Sequence, residues 1–336
     1  MKRRICICGG GALGHVIAGV LATFSDCEVT IFTRRPNDWH SMLTIALPDG
    51  KMLQGNLLKV SGDPIDVIPN ADIILLCLPG FAIKETLRTI KPYITSQYVG
   101  SVVCSSGFFF AAHEIFPEET ALYGFQRVPF VSRVEKYGEK ANLLGFRERL
   151  YMVCENIEDQ QELADFWAEH LYTPVSLLNN YLEVSLTNSN PLLHPSRLYG
   201  LWHDWHEGVV YKHRPLFYKE WDNFSSETYI NCDKEFQQLT KELGIHITDV
   251  LTYYESIDAP SMTHKFQSIE SLSTIQSPMK QVDNGWIPDF KDRYFTEDFP
   301  LGMQVIKNLA VEHNIETPTI DKVLKWGNQY VVFANN

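Results

Sequence analysis

The chain has 336 residues, 45% of them hydrophobic and 21% charged, a balance that excludes a largely disordered protein and a length that suits two domains. The formal net charge of -12 argues against nucleic acid as the main partner, because phosphate backbones demand a basic surface, but it leaves room for a local basic pocket around one anionic cofactor. No run approaches the roughly 20 apolar residues that a membrane helix requires. Gly9, Gly10 and Gly11 interrupt the first apolar run too early for a secretory signal. Cys6, Cys8, Cys27, Cys77, Cys104, Cys154 and Cys232 have scattered spacings and read as buried thiols of a reducing compartment, so a cytoplasmic location is expected.

From the N-terminus, Arg4–Cys8 reads as a short buried strand. Gly9, Gly11 and Gly14 follow with G-x-G-x-x-G spacing, then a helix over Val16–Phe24 and a strand over Glu28–Phe32. That order is the context in which a glycine loop binds a dinucleotide. The first glycine permits the tight turn, the second lets backbone approach a pyrophosphate, and the third lets the helix pack on the strand. The helix N-terminus then presents unpaired N–H groups and partial positive charge to the phosphates. An acid at the end of the second strand would hydrogen-bond the ribose 2′-hydroxyl of NAD; this chain has Thr33-Arg34-Arg35 there instead. A hydroxyl and two guanidinium groups suit a 2′-phosphate, which favours NADP over NAD. Asp38 lies too far along the loop to replace the acid.

Thr44–Val60, with Pro48-Asp49-Gly50 at its middle, predicts an inserted hairpin. Ala71–Pro79 is a continuous apolar strand, as in a parallel sheet covered on both faces, followed by a helix over Phe81–Ile90 and a strand over Tyr98–Ser105. Leu78 and Pro79 fall where such strands end, beside the expected cofactor. Tyr151–Cys154 and a helix over Asp159–His170 close this half. The reading is an α/β Rossmann-type dinucleotide-binding domain over 1–180, followed by a mainly α-helical catalytic domain over 181–336. In that second half helices are expected at Asp233–Leu243, Gly302–Asn314 and Thr319–Tyr330.

Two segments of the second half are poorly explained by packing. Asn188–Ser196 sets His194 between apolar residues and Pro195, near two Asn side chains. Asp292–Gly302 sets Arg293 and Asp298 five residues apart, just before a helix. At these segments the chain resembles the octopine/nopaline (opine) dehydrogenase family. The resemblance includes Gly9-Gly10-Gly11-Ala12-Leu13-Gly14, Val128-Pro129-Phe130-Val131-Ser132-Arg133, Asn190-Pro191-Leu192-Leu193-His194-Pro195, Phe217-Tyr218-Lys219-Glu220, and Arg293-Tyr294-Phe295-Thr296-Glu297-Asp298-Phe299-Pro300. Asn-x-x-x-His-Pro and Arg-Tyr-x-x-Glu-Asp-x-Pro are its most specific elements.

The resemblance implies reductive condensation of a 2-oxo acid, such as pyruvate, with the amino group of an amino acid, driven by NAD(P)H. It implies His194 as catalytic acid/base and Asp298 as its carboxylate partner. Arg293 and Arg133, the latter expected in a loop after the sheet, are candidates for a substrate carboxylate, and Asn190 for orienting the nicotinamide or the substrate. Ser132 stands where family members often carry Cys at the amino-acid site, which leaves the amine substrate open. The expected partners are these small molecules, with no nucleic acid and no membrane, and a homodimer is compatible with the sequence.

Three rivals compete. A ketopantoate reductase-like enzyme shares the glycine loop but uses a Lys proton donor near the start of the helical domain, and no Lys occurs between Lys140 and Lys212. His203, His206 and His213 offer clustered imidazoles for a metal, without matched Cys pairs or an HExxH pattern. A non-catalytic NADP-binding sensor would keep the glycine loop and lose the His194 and Asp298 pair.

Overall fold

The structure, a computed structural model, describes residues 2–330. They form two compact units that divide between Thr187 and Asn188. No helix among the described residues is long and apolar enough to cross a membrane.

The first unit is organised by β1 (Arg3–Cys8), whose two faces are both buried. Ile5 and Ile7 point into one apolar core, and Cys6 and Cys8 into another. This is why the run reads as continuously apolar. β1 pairs in parallel with β2 (Cys27–Phe32) and with β6 (Ile73–Leu76). The sheet order is β12-β11-β8-β7-β6-β1-β2-β5, with β5 (Lys59–Ser61), β7 (Tyr98–Ser101), β8 (Leu122–Phe125), β11 (Leu150–Glu155) and β12 (Val175–Leu177) completing it. Pairing is parallel from β8 to β5 and antiparallel where β11 meets β8. The chain order reverses on the two sides of β1, which makes the carboxyl end of β1 the switch point where such sheets bind ligands.

α1 (Ala12–Leu21) is buried from Gly14 to Leu21, apolar on every side. A second sheet, ordered β4-β3-β10-β9, explains the burial. It consists of β3 (Met42–Ala46), β4 (Met52–Asn56), β9 (Phe130–Lys136) and β10 (Lys140–Phe146), and it packs on α1. The expected hairpin is therefore β3 and β4. α2 (Gly80–Ile90) and α3 (Phe108–Ile115) cover the opposite face, and α4 (Gln160–His170) packs on β12 and shares the apolar core of α1. α5 (Tyr181–Leu186) packs on β8 and β11, which carries the first unit to Thr187 rather than to 180. All seven cysteines are buried and free.

In the second unit α6 (Asn190–Trp202) packs along α7 (Asn223–Glu242), and α12 (Pro318–Gly327) packs on both. α7 begins well before the expected Asp233. Its first turns carry Ser225, Ser226 and Thr228, all buried, so the buried stripe there is polar and escapes a hydrophobic periodicity. The helix expected from Gly302 begins instead as a π turn at Phe299–Met303 and becomes α11 only at Gln304–Glu312. α8 (Val250–Tyr253), α9 (Ala259–Ser268), the hairpin β13 (Met279–Val282) and β14 (Gly285–Pro288), and α10 (Arg293–Thr296) fill the remainder.

Glu235 of α7 is buried, and its carboxylate accepts the Thr319 N–H at 2.7 Å and the Ile320 N–H at 2.9 Å. Thr317, the cap residue of α12, gives no side-chain cap, so a carboxylate from another helix serves these N-terminal donors. Glu235→Ala is expected to cost about 2–3 kcal/mol, read as a lowered urea midpoint; a midpoint unchanged within error would show that water replaces the carboxylate.

Candidate active site

The dinucleotide loop begins where β1 ends. Gly9 has φ +124, and the first turn of α1 packs so closely that a Cβ on Gly14 would fall on the Gly9 carbonyl oxygen. At Gly11 a Cβ would meet nothing within 4 Å. The loop is thus tight against the protein on one side and open at the α1 N-terminus, where Gly11 offers no side-chain cap for the helix N–H groups at Ala12 and Leu13. Open space beside unsatisfied donors is what a pyrophosphate requires, so these residues fit the group. Leu78 packs beside Gly9, and Pro79 opens α2.

Thr33 is buried at the end of β2, and Arg34 and Arg35 are exposed. Arg35 is already engaged. Its Nε donates to Asp38 Oδ2 at 2.6 Å, and its guanidinium lies 4.1 Å over the Tyr137 ring. Asp38 therefore reaches further back than loop distance implied. Arg34 makes no ion pair among the described residues.

Arg133 is not in a loop. It lies in β9 between Ser132 and Val134, exposed, donating to the Ser132 carbonyl, and Ser132 itself is buried. The error came from reading Phe130–Lys136 without its partner: β9 is the first strand of a hairpin with β10, turned at Tyr137-Gly138-Glu139, where Gly138 takes φ +71.

The second unit gathers the other predicted residues. His194 sits on α6, 4% exposed. Its Nδ1 lies 2.7 Å from Asp298 Oδ2 and its Nε2 3.2 Å from the Tyr218 hydroxyl. A carboxylate only accepts, so Nδ1 carries the proton and the Nε2 lone pair accepts from Tyr218. The imidazole stacks on Tyr294 at 4.1 Å between centroids, with Phe217 at its edge. Asp298 precedes the π turn but does not cap it, so its carboxylate is left to the histidine. The close approach has a local cause at Gly302. A Cβ there would strike the Pro191 ring, so the missing side chain lets the π turn settle on the first turn of α6.

Arg293 opens α10 and is exposed, 6.0 Å over the Tyr294 ring. It pairs with neither Asp289 nor Asp292; Asp292 instead caps α10 through the Tyr294 N–H at 3.0 Å. A guanidinium without an ion pair, next to the tyrosine that stacks on the imidazole, suits a carboxylate ligand. Burial raises the Glu297 carboxyl, an effect that Arg293 opposes, and burial pushes the Tyr218 hydroxyl well up. Asn190 begins α6 one turn before His194, with its N–H on Asn188 Oδ1 at 3.2 Å. The imidazoles weighed for a metal do not converge: His203 turns to the Tyr199 carbonyl, His206 to the Glu207 carbonyl and His213 to Glu220.

Sequence reading gave no role to Tyr218, Tyr294 or Arg197. Arg197 is fully buried, one turn after His194. It donates to the carbonyls of Phe217 at 3.0 Å and Glu220 at 2.6 Å, to Ser225 Oγ at 3.1 Å, and to the Asp222 carboxylate. One guanidinium thereby fixes the segment that carries Tyr218. An arginine inside a core helix is itself a signal, since such a charge must be paired, but its partners lie 20 or more residues away and leave no local pattern.

A glycine-loop sheet followed by a helical unit with a carboxylate-backed histidine defines a two-domain, dinucleotide-dependent dehydrogenase. Residues 177–331 match the family described as the α-helical domain of NAD/NADP octopine/nopaline dehydrogenase, and residues 5–106 match that described as ketopantoate reductase PanE/ApbA. Octopine dehydrogenase of Mizuhopecten yessoensis is 27% identical over 98% of this chain and 90% of its own. That of Pecten maximus is 27% identical over 99% and 92%. A solved structure of octopine dehydrogenase with NADH and L-arginine superposes with a TM-score of 0.86 at 25% identity, covering 98% of this chain and 89% of that one. The resemblance to the octopine/nopaline dehydrogenases holds over nearly the full length, and the protein is an NAD(P)-dependent oxidoreductase similar to the opine dehydrogenases.

The hydrogen-bond pattern sets the histidine tautomer. In a nitrogen-detected NMR spectrum of the histidine-labelled protein near neutral pH, His194 is expected as the Nδ1–H form. Asp298→Asn should weaken that preference; an Nε2–H form in the native protein would overturn the arrangement.

Proposed function

We propose that the protein catalyses the NADPH-dependent reductive condensation of a 2-oxo acid, such as pyruvate, with the amino group of an amino acid. The observation that carries this reading is the His194 imidazole, held by Asp298 on one nitrogen and presenting the other to the Tyr218 hydroxyl. The amino nitrogen adds to the carbonyl carbon, water leaves, and the resulting carbon–nitrogen double bond is reduced. When bound, the nicotinamide supplies the hydride. Addition needs a proton removed from nitrogen, and loss of water needs a proton delivered to oxygen. His194 Nε2 performs both transfers, since imidazole changes charge near neutral pH. Asp298 holds the tautomer and stabilises the imidazolium while it lasts.

Arg293 binds a substrate carboxylate through two parallel N–H donors. Asn190 orients the substrate from the first turn of α6. Arg133 is a second candidate for a carboxylate, and the small buried Ser132 beside it bears on which amine fits. For the cofactor, Gly9, Gly11, Ala12, Leu13 and Gly14 hold the pyrophosphate, with Leu78 and Pro79 alongside. Thr33 and Arg34 bind the 2′-phosphate. Arg35, already shared with Asp38, serves as a supporting charge.

The reaction is tested by following NADPH and NADH oxidation with 2-oxo acids, each alone and paired with each common amino acid. Amine-dependent oxidation is expected. Oxidation by the oxo acid alone would replace the proposal with a simple reductase. Tight NADPH binding with no turnover on any pair would replace it with a sensor. His194→Ala should lower kcat by about 10²–10⁴-fold and leave the NADPH Kd unchanged; loss of NADPH binding would make His194 structural instead. Arg34→Ala should raise the NADPH Kd by about tenfold and barely move that for NADH, and an equal effect on both would remove the 2′-phosphate assignment.

A further inference from the structure

Outside this site, one cluster of ligand-type side chains stands out in the first unit. Asp26 precedes β2, Cys27 opens it, and His170 ends α4. One donor atom from each, a carboxylate oxygen, a sulfur and a ring nitrogen, lie within 4.8 Å of one another, and among the described residues they are the one such group. His170 is 1% exposed and Cys27 is buried, while the Asp26 side chain faces solvent.

The geometry points to a site for a divalent cation of the zinc type, held by Cys27 Sγ, His170 Nε2 and the Asp26 carboxylate with water in the fourth position. His170 Nδ1 is 2.8 Å from the Phe166 carbonyl, which only accepts, so Nδ1 carries a proton and, in the neutral ring, Nε2 keeps its lone pair. That lone pair faces Asp26 Oδ1 at 3.3 Å. Two acceptors opposed in this way call for positive charge between them, which a metal ion supplies as well as a proton does. A backbone carbonyl on the far nitrogen is also the usual support of a metal-ligating histidine. Bonds of 2.0–2.3 Å at tetrahedral angles place N, O and S donors about 3.3–3.7 Å apart. The nitrogen–oxygen pair already has that spacing, and the Cys27 thiol already hydrogen-bonds the Asp26 carboxylate. Phe24 and Phe166 flank the imidazole, at 4.4 and 4.2 Å, and fix its plane. The nearest competing cation, Arg3, is in contact with Glu162 and so is neutralised locally. On binding, the Cys27 thiol gives up its proton to solvent and no redox step is involved.

Such an ion ties the start of β2 to the end of α4, two elements that meet only through the fold. Closing so long a loop stabilises the unit that holds the dinucleotide. The site lies at the opposite end of β2 from Thr33 and does not depend on the proposed reaction.

The test uses the full chain, stripped with a chelator and titrated with Co²⁺. One equivalent is expected to bind with a thiolate-to-cobalt charge-transfer band in the near ultraviolet, and Zn²⁺ should displace it and raise the Tm. Cys27→Ser should abolish the band. Asp26→Asn, a surface change that leaves folding intact, should weaken binding by about tenfold or more. Absence of the band, its survival in Cys27→Ser, or unchanged affinity in Asp26→Asn would overturn the site and leave a plain imidazolium–carboxylate pair.

Discussion

An imidazole can offer a basic nitrogen in a fixed direction only when its other nitrogen is committed, and Asp298 makes that commitment for His194. The two residues are 104 positions apart, so much of the second unit's packing serves to keep them at 2.7 Å. The π turn after Asp298 is seated on Pro191 through Gly302. Behind it Phe295 and Phe299 stack with rings 4° from parallel, and Trp326 of α12 closes against both. On the other side Arg197 fixes Phe217 and Tyr218 around the ring. A buried guanidinium is expensive to desolvate, and it is tolerated because its N–H groups find two carbonyls, a hydroxyl and a carboxylate.

The first unit solves a different problem, binding an anion with a chain whose net charge is -12. Global charge would repel a dinucleotide; the dipoles at the α1 N-terminus oppose that locally. Burying α1 between two sheets stiffens the helix whose N-terminus provides those dipoles, which is why its sequence is apolar on every side. The second sheet also brings Tyr137 against Arg35, and Asp38 holds the same guanidinium from the other side. The proposed preference for a 2′-phosphate therefore rests more on Arg34 than the bare Thr-Arg-Arg triplet implies.

What the sequence made legible was whatever has a local cause. β1, the glycine loop, α1 and β2 could be read in order because each depends on neighbours within a few residues. His194 and Asp298 were legible as a pair only through resemblance, since nothing local joins positions on different elements. The start of α7 was missed because its buried face is serine and threonine, whereas β9 has a local cause, the Gly138 turn into β10, that was overlooked. Arg197 and Tyr218 were missed because their meaning lies in contacts across 20 residues or more.

The two halves also differ in what they say about reaction type. The dinucleotide half matches ketopantoate reductases, and a glycine loop of this kind serves many reductions. Reaction class has to be argued from the proton donor. A lysine stays charged near neutral pH and is suited to giving one proton to a carbonyl oxygen that becomes a hydroxyl. Condensation with an amine asks more, because a proton must be taken from nitrogen in one step and given to oxygen in the next. A histidine backed by a carboxylate meets both demands within the same pH range. The helical half lacks a lysine near its start and holds such a histidine, which sets it apart from a lysine-dependent carbonyl reductase and leaves it equipped for a single proton transfer or for the pair that condensation needs.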